Sequence, residues 1–154
     1  MVSLLIDGKK VEAESTQTIL QAAQKLGIHI PTLCHDPPLT PSGACRMCVV
    51  EVEGARSLVA SCATPVSAGM KVSTQSESVT RARKLNLELI WSHHPNDCLT
   101  CDKAVECQLQ ILMYEYDVKT SRFVEQNPAP KPDTSHPGIY RDMNKCILCG
   151  KCVR

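Results

Sequence analysis

The sequence predicts an α+β chain, with a β-rich first half carrying one packed helix and a shorter helical part after it. Three observations carry that expectation. Two apolar runs flank an Asp-Gly pair near the start, the periodicity turns from strand-like to helical after about Ser76, and ten cysteines fall in three separate groups.

Residues 2–6 and 9–14 flank Asp7-Gly8, and Gly accepts the positive φ of a type I′ turn, so a hairpin is expected. A helix follows over residues 18–26. Ile19, Ala22, Ala23 and Leu26 recur at i, i+3, i+4 and i+7, and Gly27 stands where a C′ residue belongs. The chain then extends through Ile28, Ile30 and Pro31 to Cys34, and a loop with Pro37, Pro38 and Pro41 leads to Cys45-Arg46-Met47-Cys48. Two short strand-like runs, residues 49–52 and 58–60, are joined by a turn at Glu53-Gly54, and residues 70–72 offer one more strand.

Beyond Ser76, Val79, Ala82, Leu85 and Leu89 have broadly helical spacing. That helix stops before His93-His94-Pro95, because Pro disfavours helix in the residue ahead of it. A second helix is expected from about Val105, with Leu109, Leu112, Met113 and Tyr116 as a core-packing stripe. Residues 127–137 hold Pro128, Pro130, Pro132 and Pro137 and few apolar side chains, which predicts a linker extended over a surface.

Composition narrows the function classes. A length of 154 residues suits one to two small domains. Hydrophobic residues make up 43%, which argues against disorder. Seventeen Lys+Arg against sixteen Asp+Glu, with no long run of either sign, disfavour a charge-driven nucleic-acid binder. No apolar stretch approaches the ~20 residues of a membrane span, so no direct membrane insertion is expected. The N-terminus lacks a basic n-region and its apolar stretch is too short for a signal peptide. A cytoplasmic, reducing location is therefore expected, where ten Cys serve metal better than disulfides. No Gly-x-Gly-x-x-Gly or P-loop pattern suggests a nucleotide site.

The first cysteine group is Cys34-x10-Cys45-x2-Cys48-x13-Cys62. Four thiolates can close a tetrahedral zinc site or hold two irons and two sulfides. Only Cys45 and Cys48 are close in sequence, whereas structural zinc usually draws on two close pairs. The small residues Ser42-Gly43-Ala44 let backbone N–H groups approach the sulfurs of an anionic cluster. Both points favour a 2Fe-2S cluster over zinc. The second group is His94-x3-Cys98-x2-Cys101-x5-Cys107. One His and three Cys within fourteen residues make a metal site, and its residue types suit structural zinc as well as iron. The third group is Cys146-x2-Cys149-x2-Cys152.

At this point the motifs resemble a known set of proteins. Leu33-Cys34-His35 and the run from Gly43-Ala44-Cys45 to Glu51-Val52 are similar to the N-terminal 2Fe-2S domain of three oxidoreductase types. These are the large iron–sulfur subunit of respiratory NADH dehydrogenase (complex I), iron-only hydrogenases, and the catalytic subunits of NAD-linked formate dehydrogenases. The resemblance implies a ferredoxin-like β-grasp domain over residues 1–76. The spacing departs from the plant-type Cys-x4-Cys-x2-Cys loop, which disfavours a photosynthetic-type ferredoxin.

The segment His94-Pro95, Asp97-Cys98, Cys101-Asp102-Lys103, Glu106-Cys107 and Leu109-Gln110 resembles the part of those proteins that holds a 4Fe-4S cluster on one His and three Cys. It implies a small helical domain over residues 77–120 and assigns the ligand role to His94 rather than to its neighbour His93. His29, His35 and His136 have no ligand spacing. One departure is Ala104-Val105, where the family commonly has small residues, usually Gly. The third group resembles the opening of a bacterial ferredoxin run, Cys-x2-Cys-x2-Cys-x3-Cys-Pro. Its fourth Cys would fall two residues beyond Arg154.

What the resemblance implies can be set down as expectations. Residues 121–144 form a linker, and residues 145–154 are the start of a ferredoxin motif, loosely organised here and filled by a further 4Fe-4S cluster only in a full-length parent. The chain passes single electrons through a 2Fe-2S cluster on Cys34, Cys45, Cys48 and Cys62 and a 4Fe-4S cluster on His94, Cys98, Cys101 and Cys107. Its partners are an NAD(P)H-oxidising flavoprotein and the remainder of the parent catalytic chain. The run from Asp142 to Arg154 is more similar to the hydrogenase and formate dehydrogenase versions than to the complex I one. A zinc-stabilised interaction module is the alternative from a different class.

Overall fold

The computed structural model of the chain describes residues 1–123 and 130–154. Strands β1 (Val2–Ile6) and β2 (Lys9–Ala13) form the expected hairpin, in register from Val2 opposite Ala13 to Ile6 opposite Lys9. Asp7 and Gly8 both take positive φ, 49° and 77°, as a two-residue I′ turn requires. Alternate residues Leu4, Ile6, Val11 and Ala13 are buried, so the hairpin turns one face to the core. The Asp7 carboxylate accepts hydrogen bonds from the Thr74 backbone N–H (2.8 Å) and hydroxyl (2.6 Å), tying the turn to the far end of the domain.

Helix α1 (Ile19–Lys25) starts at a capping box. The Thr18 hydroxyl accepts from the Gln21 N–H, and the Gln21 side chain accepts from the Thr18 N–H. Its Ile19, Leu20, Ala22 and Ala23 are buried against the sheet. Strands β3 (Val49–Val52), β4 (Val59–Ala60) and β5 (Lys71–Ser73) complete a five-stranded sheet of order β2-β1-β5-β3-β4. Only β1 and β5 run parallel. One helix on a mixed sheet is an α+β arrangement, in keeping with the ferredoxin-like fold the resemblance implied.

Helix α2 (Glu77–Trp91) begins at Ser76, whose hydroxyl accepts from the Val79 N–H, and ends just before His93. Its buried positions are Val79, Arg83 and Leu87, while Leu85 and Leu89 of the expected stripe are exposed. Helix α3 (Gln108–Glu115) starts three residues later than expected, because Val105 has φ 74° and Cys107 is extended. Leu109, Leu112 and Met113 are buried, as core packing predicts. They join Leu33, Met47, Leu87 and Val118 in a second core. Leu33 and Met47 sit beside Cys34 and Cys48, so this second core is built partly from the sheet domain's own cysteine loops.

Part of the linker expected over residues 127–137 carries regular structure. Strands β6 (Asp133–His136) and β7 (Ile139–Arg141) pair as an exposed antiparallel hairpin with a register shift. Both strands are exposed at every position, so there is no buried alternation for the sequence to show. Residues 127–129 of that stretch lie outside the described residues. The last residues touch the rest of the chain at several points. Ile147 packs on the second core, Lys145 pairs with Asp97 at 2.9 Å, and Arg154 donates to the carbonyls of Thr40 and Cys34, each at 2.5 Å. Among the described residues no helix is long and apolar enough to cross a membrane.

Candidate metal centres

All ten cysteines are free thiols. In the sheet domain, Cys34, Cys48 and Cys62 are each 1% exposed and Cys45 is partly buried. They stand as two pairs. The Cys48 and Cys62 sulfurs are 3.3 Å apart, and the Cys34 backbone N–H donates to the Cys45 sulfur at 3.4 Å. The Ser42 hydroxyl donates to the Cys34 sulfur at 3.7 Å.

The backbone of this loop is turned to serve the sulfurs. Gly43 has φ 62°, and a Cβ there would lie 3.6 Å from that of Ala60. Arg46 takes φ 54° without glycine's freedom, and the Asn86 side-chain amide of α2 holds its carbonyl at 2.9 Å. Burial and hydrogen bonding split each pair by acidity. The hydrogen bond between Cys48 and Cys62 brings the Cys48 thiol down to about 6, and the same bond together with burial pushes Cys62 up. Burial raises Cys45. At Cys34 burial also opposes ionisation, but hydrogen bonds from Cys45, Ser42 and Ala44 outweigh it and leave the thiol lowered.

The second donor set is more open. His94, Cys98, Cys101 and Cys107 all line one cavity of about 740 Å³. Only a short 3-10 turn, Cys98–Thr100, structures the loop between the helices. The His94 Nδ1 lies 3.0 Å from the Pro95 carbonyl. An Nδ1–H donated there leaves Nε2 free as a ligand atom. The His94 ring also stacks on Trp91, with centroids 5.5 Å apart and planes 13° apart. His93, by contrast, is exposed and lines a different groove beside Cys45 and Cys146. Across the cavity, Lys145 hydrogen-bonds Asp97, which lowers the Asp97 carboxyl and raises the Lys145 ammonium.

Cys146 and Cys152 of the third group are exposed and Cys149 is partly so. The Cys146 sulfur accepts from the Leu148 N–H at 3.4 Å, and Leu148 has φ 53°. Lys151 lies 3.8 Å from Asp36, in the loop after Cys34. Sequence reasoning missed Trp91 and the buried Arg83. The first could have been suspected from its position three residues before His94; the second carries no local signal.

The donors fit iron–sulfur clusters on these grounds. The first site offers four paired soft thiols with N–H and O–H donors aimed at sulfur. The second offers one imidazole and three thiols around a space much larger than one ion. Among the described residues, no three His, Cys, Asp or Glu side chains converge closely enough to hold a single metal ion.

Comparison with known proteins follows the same division. Residues 1–77 match the 2Fe-2S iron–sulfur cluster binding domain family, and residues 83–122 match the NADH-ubiquinone oxidoreductase-G iron–sulfur binding region. The whole chain is 45% identical to the NADPH-Fe(3+) oxidoreductase subunit alpha of Geobacter sulfurreducens, over 18% of that protein's length. It is 43% identical, over 99% of the chain and 27% of the relative, to the NADP-reducing hydrogenase subunit HndD of Solidesulfovibrio fructosivorans. It is 40% identical, over its whole length and 18% of the relative, to a subunit of the NADH-quinone oxidoreductase of Rhizobium meliloti. A crystal structure of NAD+-reducing NiFe-hydrogenase in the H2-reduced state superposes with a TM-score of 0.90 at 38% identity, covering 99% of this chain and 64% of that one. The chain thus spans less than a third of the length of these sequence relatives.

Proposed function

The chain belongs to the 2Fe-2S iron–sulfur cluster binding family, and from that premise we propose that it is the electron-transfer segment of a larger iron–sulfur oxidoreductase. Cys34, Cys45, Cys48 and Cys62 hold a 2Fe-2S cluster, with Cys34/Cys45 and Cys48/Cys62 as the two ligand pairs. His94, Cys98, Cys101 and Cys107 hold a 4Fe-4S cluster. When bound, these groups supply single-electron storage and transfer. Cys146, Cys149 and Cys152 contribute three ligands to a further 4Fe-4S cluster in the parent protein.

The chain's own residues do the rest. Ser42 and the loop N–H groups offset negative charge on sulfur, Pro95 fixes the His94 tautomer, and Leu33 and Met47 pack one site against the other's helices. We further propose an NAD(P)H-oxidising flavoprotein as the electron donor or acceptor on one side. On the other stands a distal active site of hydrogenase or formate dehydrogenase type, in a cytoplasmic enzyme. The similarity to two hydrogenase proteins supports the first of those types.

The observation that carries the proposal is the cavity onto which His94, Cys98, Cys101 and Cys107 all open, separate from the buried four-thiol site. Anaerobic reconstitution followed by metal and sulfide analysis tests it. We expect about six irons and six sulfides per chain at least, two plus four, and a brown protein. Stoichiometric zinc with no iron overturns the proposal.

A further inference from the structure

Arg83 is 3% exposed, and among the described residues no carboxylate pairs with it. Its NH2 donates to the Val49 carbonyl at 2.8 Å and its NH1 to the Tyr116 hydroxyl at 2.9 Å. Its Nε has no partner among the described residues. Of the carboxylates in the groove beside it, Glu115 and Asp117 are both exposed, and Asp117 pairs with Lys119 at 3.2 Å.

A guanidinium does not lose its charge in a protein, and burying a cation without a counter-charge is costly. Two neutral acceptors satisfy some of its N–H groups but not its charge. The acceptors are informative. Val49 opens β3 directly after Cys48, and Tyr116 closes α3, which opens directly after Cys107. One buried cation on α2 is therefore hydrogen-bonded to the elements that leave each four-donor site.

We infer that Arg83 is a positioning residue whose counter-charge is the anionic 2Fe-2S site beside it, and that it holds that site's reduction potential up. The inference rests on the four-cysteine reading above. Reduction adds a negative charge, and a fixed nearby cation favours the more negative form. Its removal makes the site harder to reduce. The His-ligated site, reached only through the far end of α3, responds less.

The test is a redox titration of the reconstituted chain followed by electron paramagnetic resonance, which reads each cluster separately. Arg83→Gln lowers the reduction equilibrium constant of the 2Fe-2S signal at least tenfold, or about 59 mV for a one-electron couple. Arg83→Lys keeps the charge and stays within about threefold of the wild type. Tyr116→Gln leaves the potential in place, whereas Tyr116→Glu, which sets a carboxylate against NH1, lowers it. A purely structural role predicts equal shifts in the two Arg83 variants, or none, and no difference between the two Tyr116 variants; either result overturns the inference. Should Arg83→Gln not fold, the Tyr116 pair decides alone. A wild-type chain with no 2Fe-2S signal defeats the functional reading itself and this inference with it. A wild-type signal whose potential ignores these charges defeats this inference only.

Discussion

Cys48 and Cys62 are buried in the core of the five-stranded sheet and Cys34 is buried in the loop before it, whereas Cys98, Cys101 and Cys107 hang on a loop whose tip residue Leu99 is fully exposed. The first loop is fastened from several sides: Asn86 holds Arg46, Cys48 and Cys62 are themselves core residues, and Ser61 N–H donates to the Cys48 carbonyl at 3.1 Å. The second loop has few such ties. Its backbone bonds are local, such as Thr100 N–H to the Asp97 carbonyl and Ala104 N–H to that of Cys101. A ligand set built into a core is organised before any metal arrives. One built on a loop gains much of its order from the metal, because binding free energy then serves as folding free energy.

The largest contrast comes from removing a ligand at each site. Cys101→Ser should cost about four irons per chain and leave the sheet domain folded, while Cys48→Ser should cost about two. Metal analysis on the two variants separates them. Chelation of the wild type should speed amide exchange over residues 94–107 far more than over residues 34–48, measured by hydrogen exchange with mass spectrometry. Equal loosening of both regions would refute the distinction between a preformed and a metal-ordered site.

Met47 tests whether the two regions are one cooperative unit. It lies between Cys45 and Cys48, is fully buried, and packs in the second core. Met47→Ala should destabilise the chain by about 2–5 kcal/mol and broaden the signals of both clusters. Denaturant unfolding followed at each cluster's absorbance checks this. A loss confined to one cluster would show that the shared core transmits little.

Much of the sheet domain was legible because its signals are local. Asp7-Gly8, the Ile19 to Leu26 stripe, Gly27 and the Val49 to Val52 run each announce an element within a few residues. The ligand spacings are likewise local, so two four-donor sets stand out as candidates, with His94 chosen over His93 by the resemblance. What escaped depends on distant partners. Arg83 reads as a surface charge until Val49, 34 residues away, supplies its acceptor. Helix α2 was expected from a stripe including Leu85 and Leu89, yet the buried face follows Val79, Arg83 and Leu87 because the cysteine loops and α3 lie on that side. The β6–β7 hairpin buries neither face, so no pattern betrays it.

The imidazole offers a smaller, cluster-specific contrast. A neutral His in place of an anionic thiolate leaves a cluster with one less negative charge, as in Rieske centres, where the potential is raised. His94→Cys should lower the potential of the second cluster only. His93→Ala should leave it nearly unchanged. Trp91→Leu removes the ring stacked on His94 and should shift the nitrogen couplings of the reduced cluster, read by pulsed magnetic resonance. A larger shift from His93→Ala than from His94→Cys would mean the other imidazole is the ligand.

The smallest expected effect concerns the backbone of the second loop. Val105 stands at φ 74°, a left-handed conformation that β-branched residues rarely adopt, and its side chain is 87% exposed. Such strain costs on the order of 1–3 kcal/mol, and an exposed side chain offers little packing in return. Its N–H donates to the Gln110 side chain at 3.2 Å, a bond any residue but proline keeps. Val105→Gly relieves the strain at an entropic cost of about 0.5–1 kcal/mol, so the net change should favour the folded loop by roughly 1 kcal/mol. The gain should appear as slower loss of the second cluster's iron to a chelator, with the first cluster's rate unchanged. Val105→Ala, which keeps a Cβ, should recover less of it. Faster iron loss in Val105→Gly would mean that the valine stiffens the loop more than its backbone strains it.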